Sequence, residues 1–326
     1  MSFQRFKRVL SVSVISMVLL SLIACGNAAV NNSKPAEEAG QASESPANAS
    51  SGSKTVIEHA LGKIELEKAP ERIIVMEFSF TDALMTLGVQ PVGVADDDDS
   101  SLFMDVVKDK LKDYTSIGSR YEPNIELISS LKPDLIIADL NHHKTVYDQL
   151  NAIAPTLVLD DHQADYAQML ENYKIIAKTL GKEAEGEKRL KEHAAKMDEA
   201  KAKIKDASLT VLPAVVNPKG FYAHSDHSYT GSFLASLGFI DPVKSDDSYP
   251  QLSLEQLVET NPKAIFLLPA TEETIISQWE ANPLWKELDA VKSEHVFTVE
   301  RRNWALSRGL LGSERMAEDI VTYLGE

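Results

Sequence analysis

From Arg72 onward the chain alternates between short apolar runs and stretches with helical spacing. RIIVM (72–76) is uninterrupted and apolar, and 79–87 then places Ala83, Leu84 and Leu87 on one helical face before Gly88 stops it. PVGVA (91–95), DLIIAD (134–139) and TLVLD (156–160) are further strand-like runs, with helical patterns over 143–153 and 166–180. Strands that are apolar throughout, interleaved with helices, predict a parallel sheet covered on both faces. The rhythm then changes. Residues 182–206 are good helix formers without proline, mixed in charge all round, with Leu190, Ala194, Met197 and Ile204 as a thin apolar stripe. Such a helix is either packed exposed on one domain or a rigid strut between two. Its place midway between two strand–helix sets selects the strut, about 36 Å long. Beyond it come LTVLPAVV (209–216), FYAH (221–224), a helix over 230–237, another from Ser253, AIFLL (264–268), a helix over 272–279, VFTV (296–299) and a closing helix over 307–324. The predicted fold is α/β: two lobes (55–181 and 207–326), each with a mainly parallel sheet flanked by helices, joined by one long helix.

The first residues stand apart from this pattern. Arg5, Lys7 and Arg8 precede an apolar run over 9–23, too short for a comfortable membrane span, and Leu22-Ile23-Ala24-Cys25 places small residues before a cysteine. Residues 1–24 read as a signal peptide, and Leu22–Cys25 resembles the lipobox of a bacterial lipoprotein, with lipid attached at Cys25; the plainer alternative is a cleavable signal peptide with an incidental cysteine. Cys25 is the only cysteine in 326 residues, so the chain holds no internal disulfide. Residues 25–54 are Ala/Ser/Asn/Glu/Pro/Gly with almost no large apolar side chain, the composition of a flexible tether reaching roughly 30 Å. A net charge of −16 argues against nucleic acid or anionic lipid binding through the body of the protein.

Against that acidic background the last quarter carries Arg301, Arg302, Arg308 and Arg315 within 15 residues. Arg120 lies in the loop before Asn124, where the first lobe's strands end, and loops at the carboxyl ends of parallel strands are where α/β folds place ligands. Arginine grips carboxylates bidentately, so the cluster suits a compact polyanion. Arg315 serves equally as a partner to Glu314 or Asp319. Asp96–Asp99, Asn141-His142-His143 and the segment His224-Ser225-Asp226-His227 offer ligands for a bare metal, but guanidinium groups beside a cation would repel it. Asp226, His227 and Ser228 are adjacent without a nucleophile elbow, and no phosphate loop is present, so the chain is not read as an enzyme.

The phrases RIIVMEFSFTDALMTLGVQPVGVADDDD, IGSRYEPNIELISSLKPDLIIAD, YTGSFLASLG, NPLW and NWALSRGLLGSERMAEDI resemble the substrate-binding lipoproteins of iron-siderophore ABC importers, most closely the ferric citrate binders. The resemblance covers 72–324 and implies a periplasmic-binding-protein-like fold of the helical-backbone class. It implies a monomer lipid-anchored to the outer face of the cell membrane, delivering ferric citrate to permease subunits driven by a cytoplasmic ATPase. No cofactor or protein-held metal is implied, because the iron stays within its chelator. Arg120, Trp304, Arg308 and Arg315 match ligand positions of that family. His224 and Tyr229 fall in a segment facing the cleft, Ser79 and Phe80 in the first strand-to-helix loop, and Arg301 and Arg302 read as rim charges. Where relatives often carry an arginine after the strand IIAD, this chain has His142, a titratable group. Finally, NIELISSLKPDLIIAD and SLEQLVETNPKAIFLL share one grammar: cap, apolar residue, glutamate, helical stripe, proline, strand. Glutamate in a first turn is favoured by the helix dipole alone. The resemblance assigns Glu126 and Glu255 to permease docking, one on each lobe. Another siderophore, haem or a divalent metal is the alternative ligand, and a structural or adhesive surface lipoprotein the alternative role.

Overall fold

The apolar strands sort their side chains between three layers. The protein is described here by a computed structural model covering residues 54–325, so the expected signal peptide, Cys25 and nearly all of the tether lie outside the described residues. The first sheet has the order β5-β4-β3-β6-β7, with β3 (Ile73–Val75), β4 (Gly93–Val94), β5 (Thr115–Ser116), β6 (Leu135–Asp139) and β7 (Thr156–Leu159) all parallel. An antiparallel hairpin of β1 (Thr55–His59) and β2 (Gly62–Leu66) leans on its edge through the Ala60 amide and the Val158 carbonyl, 3.0 Å apart. The second sheet runs β10-β9-β8-β11-β12, from β8 (Val211–Asn217), β9 (Gly220–Ala223), β10 (Gln251–Leu252), β11 (Ala264–Pro269) and β12 (Val296–Thr298). Here β8, β11 and β12 are parallel, while β9 is antiparallel to β8. Only Pro218 and Lys219 join β8 to β9, too few for the crossover that parallel pairing needs.

Alternate strand residues face opposite sides. Ile74, Met76, Ile136 and Ala138 form an outer core with Ile128 and Leu150. Leu212, Ala214, Ile265 and Leu267 form its counterpart in the second lobe with Leu257 and Trp285. The opposite faces, Ile73, Val75, Leu135 and Ile137 from the first sheet and Ala264, Phe266 and Leu268 from the second, belong to one cluster that continues through Tyr173, Tyr229, Phe233 and Ile320. The lobes therefore share a core.

The long helix spans Glu183–Ala202, about 30 Å. Its buried stripe is Gly186, His193, Met197 and Ala200. Ala194, expected on that stripe, is exposed. His193 replaces it because its ring is tied between the Tyr166 hydroxyl (2.6 Å) and Glu314 (3.0 Å). Three other helices differ from expectation. The 272–279 pattern narrows to Ile276–Trp279. The 143–153 pattern divides into Leu140–His143, a tight turn Lys144–Val146, and Tyr147–Ile153. The closing helix starts at Leu310 rather than 307, leaving Ser307-Arg308-Gly309 as an extended approach after a wide turn, Arg302–Leu306.

Candidate functional site

Each of four parallel strands in the first sheet ends by delivering one carboxylate to the same edge. β3 leads to Glu77, β4 to Asp97, β6 ends in Asp139 and β7 leads to Asp161. Glu77 and Asp139 are wholly buried and Asp161 nearly so. Asp139 organises the edge: one oxygen accepts the Asn141 and His142 amides (both 2.8 Å), the other the Asp161 (2.7 Å) and His162 (3.1 Å) amides. Burial works against its charge, but the Asp161, His142 and His162 amides and the nearby His142 ring hold its carboxyl below the usual range.

Two guanidinium groups meet this edge. Arg120, 3% exposed, donates from Nε and Nη2 to Asp97 Oδ2 (3.0 and 2.8 Å) and from Nη1 to Glu77 Oε2 (3.1 Å). Its plane lies over Phe78, 4.3 Å from the ring centre. His143 fixes its backbone: Nδ1 accepts the Asp139 amide at 2.9 Å, so Nε2–H donates to the Arg120 carbonyl at 2.7 Å. This double engagement is also what interrupts the expected 143–153 helix. Arg308 crosses from the second lobe, donating to Asp161 (2.5 Å) and lying 3.9 Å from Glu77. Burial, outweighing the pull of Arg308, pushes the Asp161 carboxyl up, with Glu77 adding to it. Ser79 also donates to Asp161. Burial opposes the charge of Glu77, but the His142 hydrogen bond (2.7 Å) and the two arginines keep its carboxyl below the ordinary value.

Rings bridge the gap between the lobes: Tyr121 to His142 (4.7 Å between centroids), His142 to His162 (4.7 Å), His162 to Tyr249 (5.6 Å) and Tyr249 to His224 (5.0 Å). His224 is 2% exposed with Nδ1 unpartnered; burial, then Arg308 and Arg301, push its pKa down to about 3, leaving a neutral imidazole. Arg301 is the exception among these cations. It is partly buried, its Nε has no partner, and among the described residues no carboxylate lies in ion-pair range of it. Burial and the neighbouring Arg120 charge lower its pKa, as for a cation without a counter-ion.

The remaining expected contacts lie elsewhere. Trp304, expected to line the pocket, is fully buried in the second lobe, stacked on Phe266 (4.6 Å) with its indole N–H donated to Asp319 (2.9 Å). Tyr229 is buried, and its hydroxyl donates to the Gly309 carbonyl (3.0 Å). Arg315 pairs along its own helix with Asp319 (2.6 Å), the structural alternative. Arg302 forms a two-pronged bridge to Asp105 of the other lobe (3.2 and 3.3 Å) at the rim. Phe80 is in the shared core. The sequence did carry a signal for the missed carboxylates: four apolar strand runs end at an acid, in MEF, VADD, IIAD and VLDD.

Glu77, Asp139 and His142 converge closely enough to hold a metal ion. The donor set does not suit one. Both Asp139 oxygens already accept two amides each, and Glu77 faces two guanidinium groups whose charge opposes a cation. What the arrangement suits is an anion that competes for arginines.

On the outside, Glu126 and Glu255 are exposed in the first turns of helices Ile125–Ser130 and Leu254–Thr260. Asn124 caps one helix through the Leu127 amide, and a Ser253/Gln256 capping box starts the other.

Residues 73–302 match the family described as periplasmic binding protein. The Fe(3+)-citrate-binding protein YfmC of Bacillus subtilis is 38% identical over 316 residues, covering 97% of this chain and 96% of that one. The Fe(3+) dicitrate-binding periplasmic protein FecB of Escherichia coli is 38% identical over 261 residues, 80% of this chain and 87% of its own. Among solved structures, Staphylococcus aureus SirA complexed with staphyloferrin B superposes with a TM-score of 0.72 at 32% identity, covering 83% of this chain and 98% of that one. With the family match spanning both sheets and these identities over most of its length, the chain belongs to the periplasmic binding protein family.

Proposed function

We propose that this protein is the solute-binding component of an ABC iron importer and that its cargo is ferric citrate, captured between the lobes. The supporting observation is Arg301: a partly buried guanidinium, beside Arg120 and Arg308, with no counter-ion among the described residues. Arg120 and Arg308 already hold internal carboxylates, so a ligand carboxylate there exchanges one ion pair for another. On Arg301 it exchanges nothing and removes a repulsion. Charge-assisted hydrogen bonds of this kind contribute about 1.5–3 kcal/mol each. The neutral rings of His162, His224 and Tyr249 complete a wall that neither repels nor competes for the anion. YfmC and FecB are named for this ligand and resemble the chain over most of its length, which supports the same assignment. The anchor is lipid on Cys25, holding the protein at the outer face of the membrane. The exposed Glu126 and Glu255 are the contacts offered to the permease.

The second reading keeps the chemistry and enlarges the ligand to another polycarboxylate siderophore, which the SirA complex with staphyloferrin B supports. Calorimetric titration with ferric citrate, free citrate, ferric staphyloferrin B, haem and zinc separates these. Ferric citrate binding tightest, with Arg301→Ala weakening it about tenfold or more, is the expected result. Zinc or haem binding in preference, or wild-type affinity in Arg301→Ala, overturns the assignment.

A further inference from the structure

The cleft chemistry leaves one fully buried acid unused. Asp82 lies in helix Phe78–Leu87 of the first lobe, and its Oδ2 accepts the amides of Leu311 (2.9 Å) and Gly312 (3.2 Å). These are free donors at the start of helix Leu310–Leu324 in the second lobe, whose preceding residue, Gly309, has no side chain to cap with. Asp82 thus caps the helix from across the lobe boundary. The missing side chain is required, since a Cβ on Gly309 would lie 2.4 Å from the Asp82 carboxyl carbon. Gly309 directly follows Arg308, and the Tyr229 hydroxyl holds the Gly309 carbonyl from the second lobe. Asp82, Ser79, Asp161 and Arg308 also line one small cavity of about 10 Å³, and Asp82 Oδ1 and Arg308 Nε are both without a partner.

We propose that Asp82 is the positioning residue for Arg308: by anchoring the amide end of the closing helix it sets where the Ser307-Arg308-Gly309 approach runs and so aims the guanidinium across the cleft. The ligand part of this rests on the proposed function. The charged and titratable groups around Asp82 are Arg189 on the long helix, Glu314 on the closing helix, Tyr173, Tyr229, and Asp161 and Arg308 across the cavity. Burial dominates, and the two amides and Arg189 only partly offset it, so its pKa is pushed up to about 7. Both amides converge on one oxygen while the other has no partner. The anchor therefore needs one carbonyl-type acceptor rather than a charge, and asparagine supplies it.

The test titrates ferric citrate into Asp82→Ala, Asp82→Asn, Arg308→Ala and the Asp82→Ala/Arg308→Ala double variant, with amide hydrogen exchange at Leu311 and Gly312. Asp82→Ala is expected to weaken binding about tenfold and speed exchange at both amides, with Asp82→Asn within about threefold of wild type, and Asp82→Ala adding nothing once Arg308 is gone. Asp82→Ser, too short to reach the amides, replaces Asp82→Ala should that variant not fold. Additive losses, or an Asp82→Ala affinity within about twofold of wild type, overturn the proposal while leaving the ligand assignment intact. If Arg308→Ala itself binds normally, it is the ligand contact at Arg308 that has failed, not the anchor. The Arg308 Nε–H resonance then decides: a shift in Asp82→Ala but not Asp82→Asn supports the anchor, and no shift overturns it.

Discussion

Protonation of His142 and His162 sets the charge of the cleft. Burial opposes the charged form of His142, but the Glu77 bond and the nearby Asp139 outweigh it and raise its pKa. Its stabilising contribution is thus complete below the unfolded value near 6.5 and disappears as pH rises through the folded value. His162 has the opposite sign: burial, then Arg308 and His142, push it down to about 4. Its contribution is full above about 6.5 and falls as pH drops towards 4. Thermal unfolding followed between pH 7 and pH 4.5 should cost His162→Phe less midpoint than the wild type, a difference that isolates His162 from buried acids such as Asp82 that take up protons in the same range. Ligand affinity carries the His142 sign. It should fall between pH 6 and 8.5 in the wild type and fall less in His142→Ala, read by calorimetry on both proteins so that ferric citrate speciation cancels. At this scale the arginines were legible, because a cluster of one charge in a chain of the other stands out. Their partners were not: Asp97 sits in an acidic run whose other members behave differently, Asp96 accepting from Tyr114 while Asp98 is exposed.

Between elements, one close approach lies where the long helix meets helix Tyr166–Thr179. A Cβ on Gly186 would fall 2.6 Å from the Ala177 Cβ. Gly186→Ala gains helix propensity, about 1 kcal/mol, but overpacking of this kind costs about 1–3 kcal/mol. A net loss of thermal midpoint by a few degrees is expected in calorimetry. The exposed helix starts carry a different prediction. Glu126→Ala with Glu255→Ala should leave ligand affinity and melting unchanged while cells lose ferric citrate uptake, and undiminished uptake removes these residues from docking. Most elements were readable from period and caps, since both report local geometry. Two of the exceptions have tertiary causes. The 143–153 helix breaks because His143 is held between Asp139 and Arg120, and the closing helix starts late because its cap comes from Asp82.

For the molecule as a whole, the long helix is only part of what restrains the lobes. The shared apolar core through Tyr173, Tyr229, Phe233 and Phe266 would be exposed by a wide swing, and Arg302–Asp105 and Arg308–Asp161 tie the rim and the cleft. Opening should be a small tilt, with a radius of gyration differing by on the order of 1 Å or less between free and ligand-bound protein in solution scattering. What the residue order determined alone was the succession of strands and helices, the α/β class and the presence of guanidinium groups late in the chain, because hydrophobic period and composition are local properties. Which carboxylate meets which guanidinium was decided only by the tertiary structure. Arg308 and Asp161 are 147 positions apart, and Arg120 reaches Glu77 across 43. The sheet order brings these ends together, and among the described residues burial leaves Arg301 the cleft arginine without a counter-ion.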